Sequence, residues 1–169
     1  GALARLARGR TRIVALAVDG DDAFLDAIAT QVGPDYFQLH GSETPARVAA
    51  VAALTGKPVI KAIKVGGPED VAMAALYVDV AEFLLFDAKA PASLRNALPG
   101  GNGIAFDWSL LEGRRGFMLS GGLNAENVAD AIHATGAAMV DASSGIERAP
   151  GVKDPELIRK FIERAKSAR

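Results

Sequence analysis

Two places in this chain put small polar residues directly behind a short apolar run. Phe117, Met118 and Leu119 break at Ser120-Gly121-Gly122, and Met139, Val140 and Asp141 run into Ser143-Ser144-Gly145. Glycines let the backbone approach an anion with no Cβ in the way, and serine hydroxyls and N–H groups at helix starts supply donors to it. A Gly-Gly after a strand is also an ordinary tight turn. Two such breaks in adjacent units read together as a phosphate site, built from Ser120-Gly121-Gly122 and Ser143-Ser144-Gly145.

Other reactive side chains fall at the ends of apolar runs. Asp87 follows four apolar residues, 83–86, and a carboxyl at such a tip can serve as a general acid. It can equally cap a helix or pair with Lys89. Asp19, Gln38, His40, Lys61, Lys64, Ser120, Asp141 and Ser143 occupy comparable positions. His40 reads as a ligand-facing donor or as a packed turn residue. Lys61 has the type for Schiff-base chemistry, but a strand-end lysine is more often paired with a neighbouring acid.

The elements that must position these groups alternate regularly. Residues 13–18 (IVALAV) form a continuously apolar run, as expected of a parallel strand covered on both sides. Strands at 36–39, 58–65, 83–87, 117–119 and 139–141 follow, with helices at 23–32, 44–54, 70–77, 125–134 and 157–166 between and after them. Asn124 is placed as the cap of the fourth of these helices, and Asp154-Pro155-Glu156 opens the last. Residues 1–9 read as a helix tail closed by Gly9. The link from Phe83 to Phe117 is the long one, and its Gly and Pro content marks an active-site loop, with Asp107 capping a helix behind it and Trp108 as a packing anchor. Strand and helix alternate without hairpins, which predicts a parallel α/β fold in one domain spanning residues 1–169. In a (β/α)₈ barrel the reacting groups collect at the carboxyl ends of the strands, and the loops after strands seven and eight hold phosphate.

Composition narrows the functions. The chain has 169 residues, 19 basic and 20 acidic, for a net charge of −1, so no global field draws it to nucleic acid or to a membrane. It has no cysteine, which excludes disulfides and thiolate metal sites, and its two histidines, His40 and His133, offer no metal-ligand spacing. No apolar run has the ~20 residues needed to span a bilayer. A soluble cytoplasmic protein is expected.

Six stretches carry a resemblance. QLHG at 38–41, VIKAIKV at 59–65, LLFDAK at 84–89, GGNGIAFDWSLL at 100–111, LSGGLNAENV at 119–128 and VDASSGIERAPGVKDPELIRKFI at 140–162 resemble phosphoribosylanthranilate isomerase of tryptophan biosynthesis, in order and with suitable spacing. The resemblance implies an (β/α)₈ TIM barrel of which six β/α units are present. It also implies an Amadori rearrangement of a phosphorylated small molecule, N-(5′-phosphoribosyl)anthranilate, with no cofactor. It places the general acid on Asp87, the phosphate cup on Gly121, Gly122, Ser143, Ser144 and Gly145, and the substrate pocket at Gln38, His40 and Asp141.

The departures are specific. The family's general base is a cysteine in a first-strand KICGIT motif, and an arginine after the second strand helps hold the anthranilate. This sequence has neither motif, and Ile104 stands where many relatives have lysine. The resemblance therefore implies a chain lacking its first two strands, impaired in catalysis and prone to self-association through bare strand edges. The competing readings are another sugar-phosphate barrel enzyme and a phosphate-binding fragment without chemistry.

Overall fold

The computed structural model describes residues 1–89 and 106–168. The Gly/Pro-rich part of the long loop, with Ile104, lies outside the described residues. Six strands form one sheet in chain order: β1 (Val14–Ala17), β2 (Tyr36–Leu39), β3 (Val59–Val65), β4 (Phe83–Ala88), β5 (Met118–Leu119) and β6 (Met139–Val140). The pairings run parallel, with Val14 opposite Tyr36, Leu39 opposite Lys61, Leu85 opposite Met118 and Met118 opposite Met139. A sheet whose strands follow chain order without reversal is the connectivity of a TIM-type barrel, since a doubly wound sheet turns back at a switch point. A two-stranded antiparallel hairpin, β7 (Glu147–Ala149) with β8 (Val152–Lys153), was not expected from the sequence.

The chain divides into two compact units, each described on its own: Gly1–Ala62 with Ala74–Leu84, and Ile63–Met73 with Leu85–Arg169. In the first, α1 (Ala2–Ala7), α2 (Asp22–Val32) and α3 (Pro45–Thr55) accompany β1 and β2. Asp21 caps α2 by accepting from the Phe24 N–H, and Thr44 caps α3 by accepting from the Arg47 N–H, with Pro45 in the first turn. Ala17, Leu25, Phe37, Leu39, Val48, Val51 and Val59 pack into the core of this unit. The helix expected to close at Gly9 ends at Ala7 instead. Arg8 leaves the helix there because its guanidinium donates to the Val32 and Gly33 carbonyls at the end of α2.

In the second unit Leu85, Phe86, Leu111, Phe117, Leu119, Leu123 and Val128 are buried. The Phe86 and Phe117 rings meet edge-on with centroids 5.4 Å apart. Asp107 caps a short 3₁₀ turn, Trp108–Leu111, as its sequence position implies. The helix expected from 70 begins at Pro68 as α4 (Pro68–Met73), because proline suits the first turn, and then tightens into a 3₁₀ turn, Ala74–Tyr77. The helix placed at 125–134 is α5 (Val128–Thr135) and starts three residues late. Asn124 is the reason: its Oδ1 accepts from the Glu126 and Asn127 N–H groups, while Asn127 Oδ1 accepts from the Asn124 N–H. Side chains that bond nearby backbone compete with the helix. α6 (Pro155–Ser167) begins behind Asp154, which accepts from the N–H groups of Glu156 and Leu157.

Candidate active site

Asp87 stands at the carboxyl end of β4, 3% exposed, with its Oδ1 accepting from the Ala88 N–H at 3.0 Å. The alternative in which it pairs with Lys89 does not hold. Lys89 reaches Asp70 instead, at 3.2 Å, and Asp70 also accepts from the Gly66 and Gly67 N–H groups. A buried carboxyl at a strand tip has the geometry of a proton donor to a ligand.

The two glycine-serine breaks follow in the same unit. Ser120 N–H donates to the Phe86 carbonyl and Asp141 N–H to the Leu119 carbonyl, both at 2.8 Å, so these residues extend the ladder just past β5 and β6. Ser120 Oγ lies 3.1 Å from Asp141 Oδ2 and donates to it, which ties the two loops together at their bases. Gly121 sits at φ 93°, and a Cβ there would stand 2.6 Å from the Ala88 nitrogen, beside Asp87. A Cβ at Gly145 would stand 2.0 Å from the Leu123 carbonyl oxygen. The Ser143-Ser144-Gly145 loop is thus pressed against the end of the Ser120-Gly121-Gly122 loop, and only glycine allows the approach. Anion donors at the start of a long helix were expected behind Gly122. The Asx bonds of Asn124 and Asn127 take up those N–H groups, so the backbone of the glycines and of Ser143 and Ser144 is what such a cup has to offer.

In the other unit Gln38 and His40 are both buried, two residues apart on one face at the end of β2, with Gln38 Nε2 3.2 Å from His40 Nδ1. Lys61 is buried against Glu43 at 2.8 Å, which settles it as the paired strand-end lysine. Glu43 was not singled out from the sequence. Its Oε1 accepts from the N–H groups of Asp19 and Gly41, and Tyr77 donates its hydroxyl to the Glu43 carbonyl. Asp19 belongs to the same frame, accepting from the Ser42 N–H and hydroxyl. Asp19 and Lys61 therefore hold the turn that carries His40.

Among the described residues no group of three or more His, Asp or Glu could hold a metal ion, and no helix is long and apolar enough to cross a membrane.

The chain matches the family model of N-(5′phosphoribosyl)anthranilate (PRA) isomerase over residues 2–164. The chain belongs to this family. It is 58% identical over 158 residues to the N-(5′-phosphoribosyl)anthranilate isomerase of Parvibaculum lavamentivorans, a match covering 92% of this chain and 74% of that relative. Among solved structures, the phosphoribosyl anthranilate isomerase of Thermotoga maritima superposes with a TM-score of 0.84 at 34% identity, covering 98% of this chain and 78% of that one. A phosphoribosyl anthranilate isomerase in complex with reduced 1-(o-carboxyphenylamino)-1-deoxyribulose 5-phosphate superposes at 0.81 with 30% identity, over 98% and 77%. Like these relatives, the PRA isomerase family member described here is an α/β protein of the TIM-barrel type.

Proposed function

We propose that this chain acts in the isomerisation of N-(5′-phosphoribosyl)anthranilate to 1-(2-carboxyphenylamino)-1-deoxyribulose 5-phosphate, using six β/α units of a barrel domain. The observation that carries the reading is Asp87, buried at the end of β4 beside Gly121. Asp87 gives its proton to the ribose ring oxygen as the C1′–O bond breaks. The anilino nitrogen's lone pair then forms a double bond to C1′. A base removes the C2′ proton, and those electrons make the C1′–C2′ double bond and neutralise the nitrogen, after which the enol becomes the ketone. Gly121, Gly122, Ser143, Ser144 and Gly145 hold the phosphate, remote from the reacting carbons. Asp141 orients Ser120 at the cup's base, and Gln38, His40 and Asp141 are assigned to substrate polar groups through the family resemblance.

The family's thiol has no counterpart in a chain with no cysteine. General acid–base assistance is worth roughly 10²–10⁴-fold. These 169 residues alone should therefore turn over at least about a hundredfold more slowly than the same residues joined to the part of the Parvibaculum relative that the match leaves out. Equal rates would put the base on a residue of this chain.

Self-association is part of the proposal. β1 lies at one end of the sheet order and exposes Val14 and Leu16, with Val18 exposed just behind it, and an uncovered strand edge pairs readily with another chain. Light scattering over a range of concentrations should show growth in mass, and a constant monomer mass would remove this element.

A further inference from the structure

The segment behind the second glycine-serine loop has no part in the reading above, yet it is built around one cation. ERAPGVK folds as the β7–β8 hairpin with Glu147 opposite Lys153. The Lys153 ammonium donates to Glu147 Oε1 at 2.7 Å, to the Ser143 carbonyl at 2.8 Å and to Ser143 Oγ at 3.2 Å. An ammonium has three donors, and these three acceptors use them all. Glu147 is fixed in turn by the Gly151 N–H at 3.0 Å across the hairpin turn. Asp154, the next residue, donates its N–H to the Ile146 carbonyl and caps α6. Lys153 is thus held from both sides.

Its two contacts with Ser143 have a directional consequence. In a trans peptide the carbonyl and the following N–H point opposite ways, so tying the Ser143 carbonyl to Lys153 turns the Ser144 N–H away from it. The same ammonium occupies acceptor capacity on Ser143 Oγ and drives the hydroxyl proton to the far side. A carbonyl that would repel an anion is neutralised, and two donors are aimed together. A phosphate dianion, rich in acceptors, is the ligand that such a pair suits.

We propose that Lys153 is a positioning residue of the phosphate cup: through Ser143 it orients the Ser143 hydroxyl and the Ser144 N–H towards the phosphate without touching it. The inference rests on the phosphate-cup reading given above. The test is calorimetric titration of the 169-residue chain and its variants with inorganic phosphate and with ribose 5-phosphate, alongside thermal melts. Lys153→Met should weaken both ligands roughly tenfold, the worth of one charge-assisted hydrogen bond at its low end. Its melting temperature should fall only by the small amount that one half-exposed ion pair is worth, since the Lys153 side chain is 44% exposed. In a Ser143→Ala background the same substitution should cost less, because the hydroxyl that Lys153 steers is gone and only its hold on the Ser143 carbonyl remains, which a merely structural lysine or one touching phosphate directly would not show. If Lys153→Met fails to fold, Lys153→Gln carries the same comparison. Unchanged affinity, or a full additive loss in the Ser143→Ala background, overturns the proposal. Native chain that binds neither ligand overturns the cup itself, an outcome distinct from native binding weakened by Ser144→Ala but indifferent to Lys153.

Discussion

The ammonium of Lys61 lies 2.8 Å from the carboxylate of Glu43, and each side chain is only 3% exposed. The remaining donors of Lys61 reach the Gly41 and Leu39 carbonyls, at 2.8 and 3.3 Å, so the pair staples the turn between Gln38-Leu39-His40 and Glu43. A buried pair is weak evidence for stability relative to apolar residues, but losing one partner leaves a charge without compensation. Lys61→Met should destabilise the chain by about 3–5 kcal/mol in urea unfolding. Adding Glu43→Leu should recover a large part of that loss. A single-variant cost under about 1 kcal/mol would mean that the Asp19 and Gly41 N–H groups alone satisfy Glu43.

Gly145 offers a sharper structural test of the cup. Its missing Cβ would stand 2.0 Å from the Leu123 carbonyl oxygen, and backbone cannot yield as a flexible side chain can. Gly145→Ala should cost about 3 kcal/mol or more and push the two loops apart. Phosphate affinity should fall with it. Gly113→Ala serves as the comparison, since nothing lies within 4 Å of a Cβ there, although its positive φ carries a strain of its own. If both variants bind phosphate equally well, contact between the loops is not what shapes the site.

Much of this was readable from residue types, and the exceptions have identifiable causes. β2 and β3 were placed to within a residue because their runs, YFQL and VIKAIKV, are buried nearly throughout. Lys61 was expected to have an acidic partner, but not which one. Glu43 precedes it by 18 positions, and only the parallel register that sets Leu39 beside Lys61 brings them together. α5 began late because Asn124 and Asn127 bond local backbone, an outcome that helix periodicity does not register. The β7–β8 hairpin went unseen because ERAPGVK is short and polar, although Pro150-Gly151 is a recognised turn signal.

Acid should loosen the loop that Lys153 organises. The hydrogen bond from Lys153 holds the Glu147 carboxyl below its ordinary value of 4.5, and the Gly151 N–H adds to the effect. A carboxyl depressed in the folded state contributes stability that is complete above its unfolded value and is lost as pH falls through the lower folded value. Asp70 shifts in the same direction: burial opposes its ionisation, but the Gly66 N–H and Lys89 outweigh burial. Melting temperature should therefore decline below about pH 4.5. Glu147→Gln should flatten part of that decline. An identical acid limb in the variant would place the pH dependence elsewhere.

Asp87→Asn separates chemistry from binding. The amide keeps the size of the side chain and can still accept from the Ala88 N–H, so neither β4 nor the packing of Gly121 against Ala88 is disturbed. What is lost is the capacity to give a proton. Under the proposed function the phosphate is held by the loops after β5 and β6, and a variant that loses only an interaction made in the transition state lowers kcat while leaving ground-state affinity alone. In the chain joined to the missing part of its relative, kcat should fall by roughly 10²–10⁴-fold, with ribose 5-phosphate affinity within about twofold of the parent. Ser144→Ala should do the opposite, raising KM more than it lowers kcat. An Asp87→Asn variant that turns over normally but binds ribose 5-phosphate poorly would reassign the carboxylate to holding the Gly121 loop, and the general acid would have to be sought on another strand.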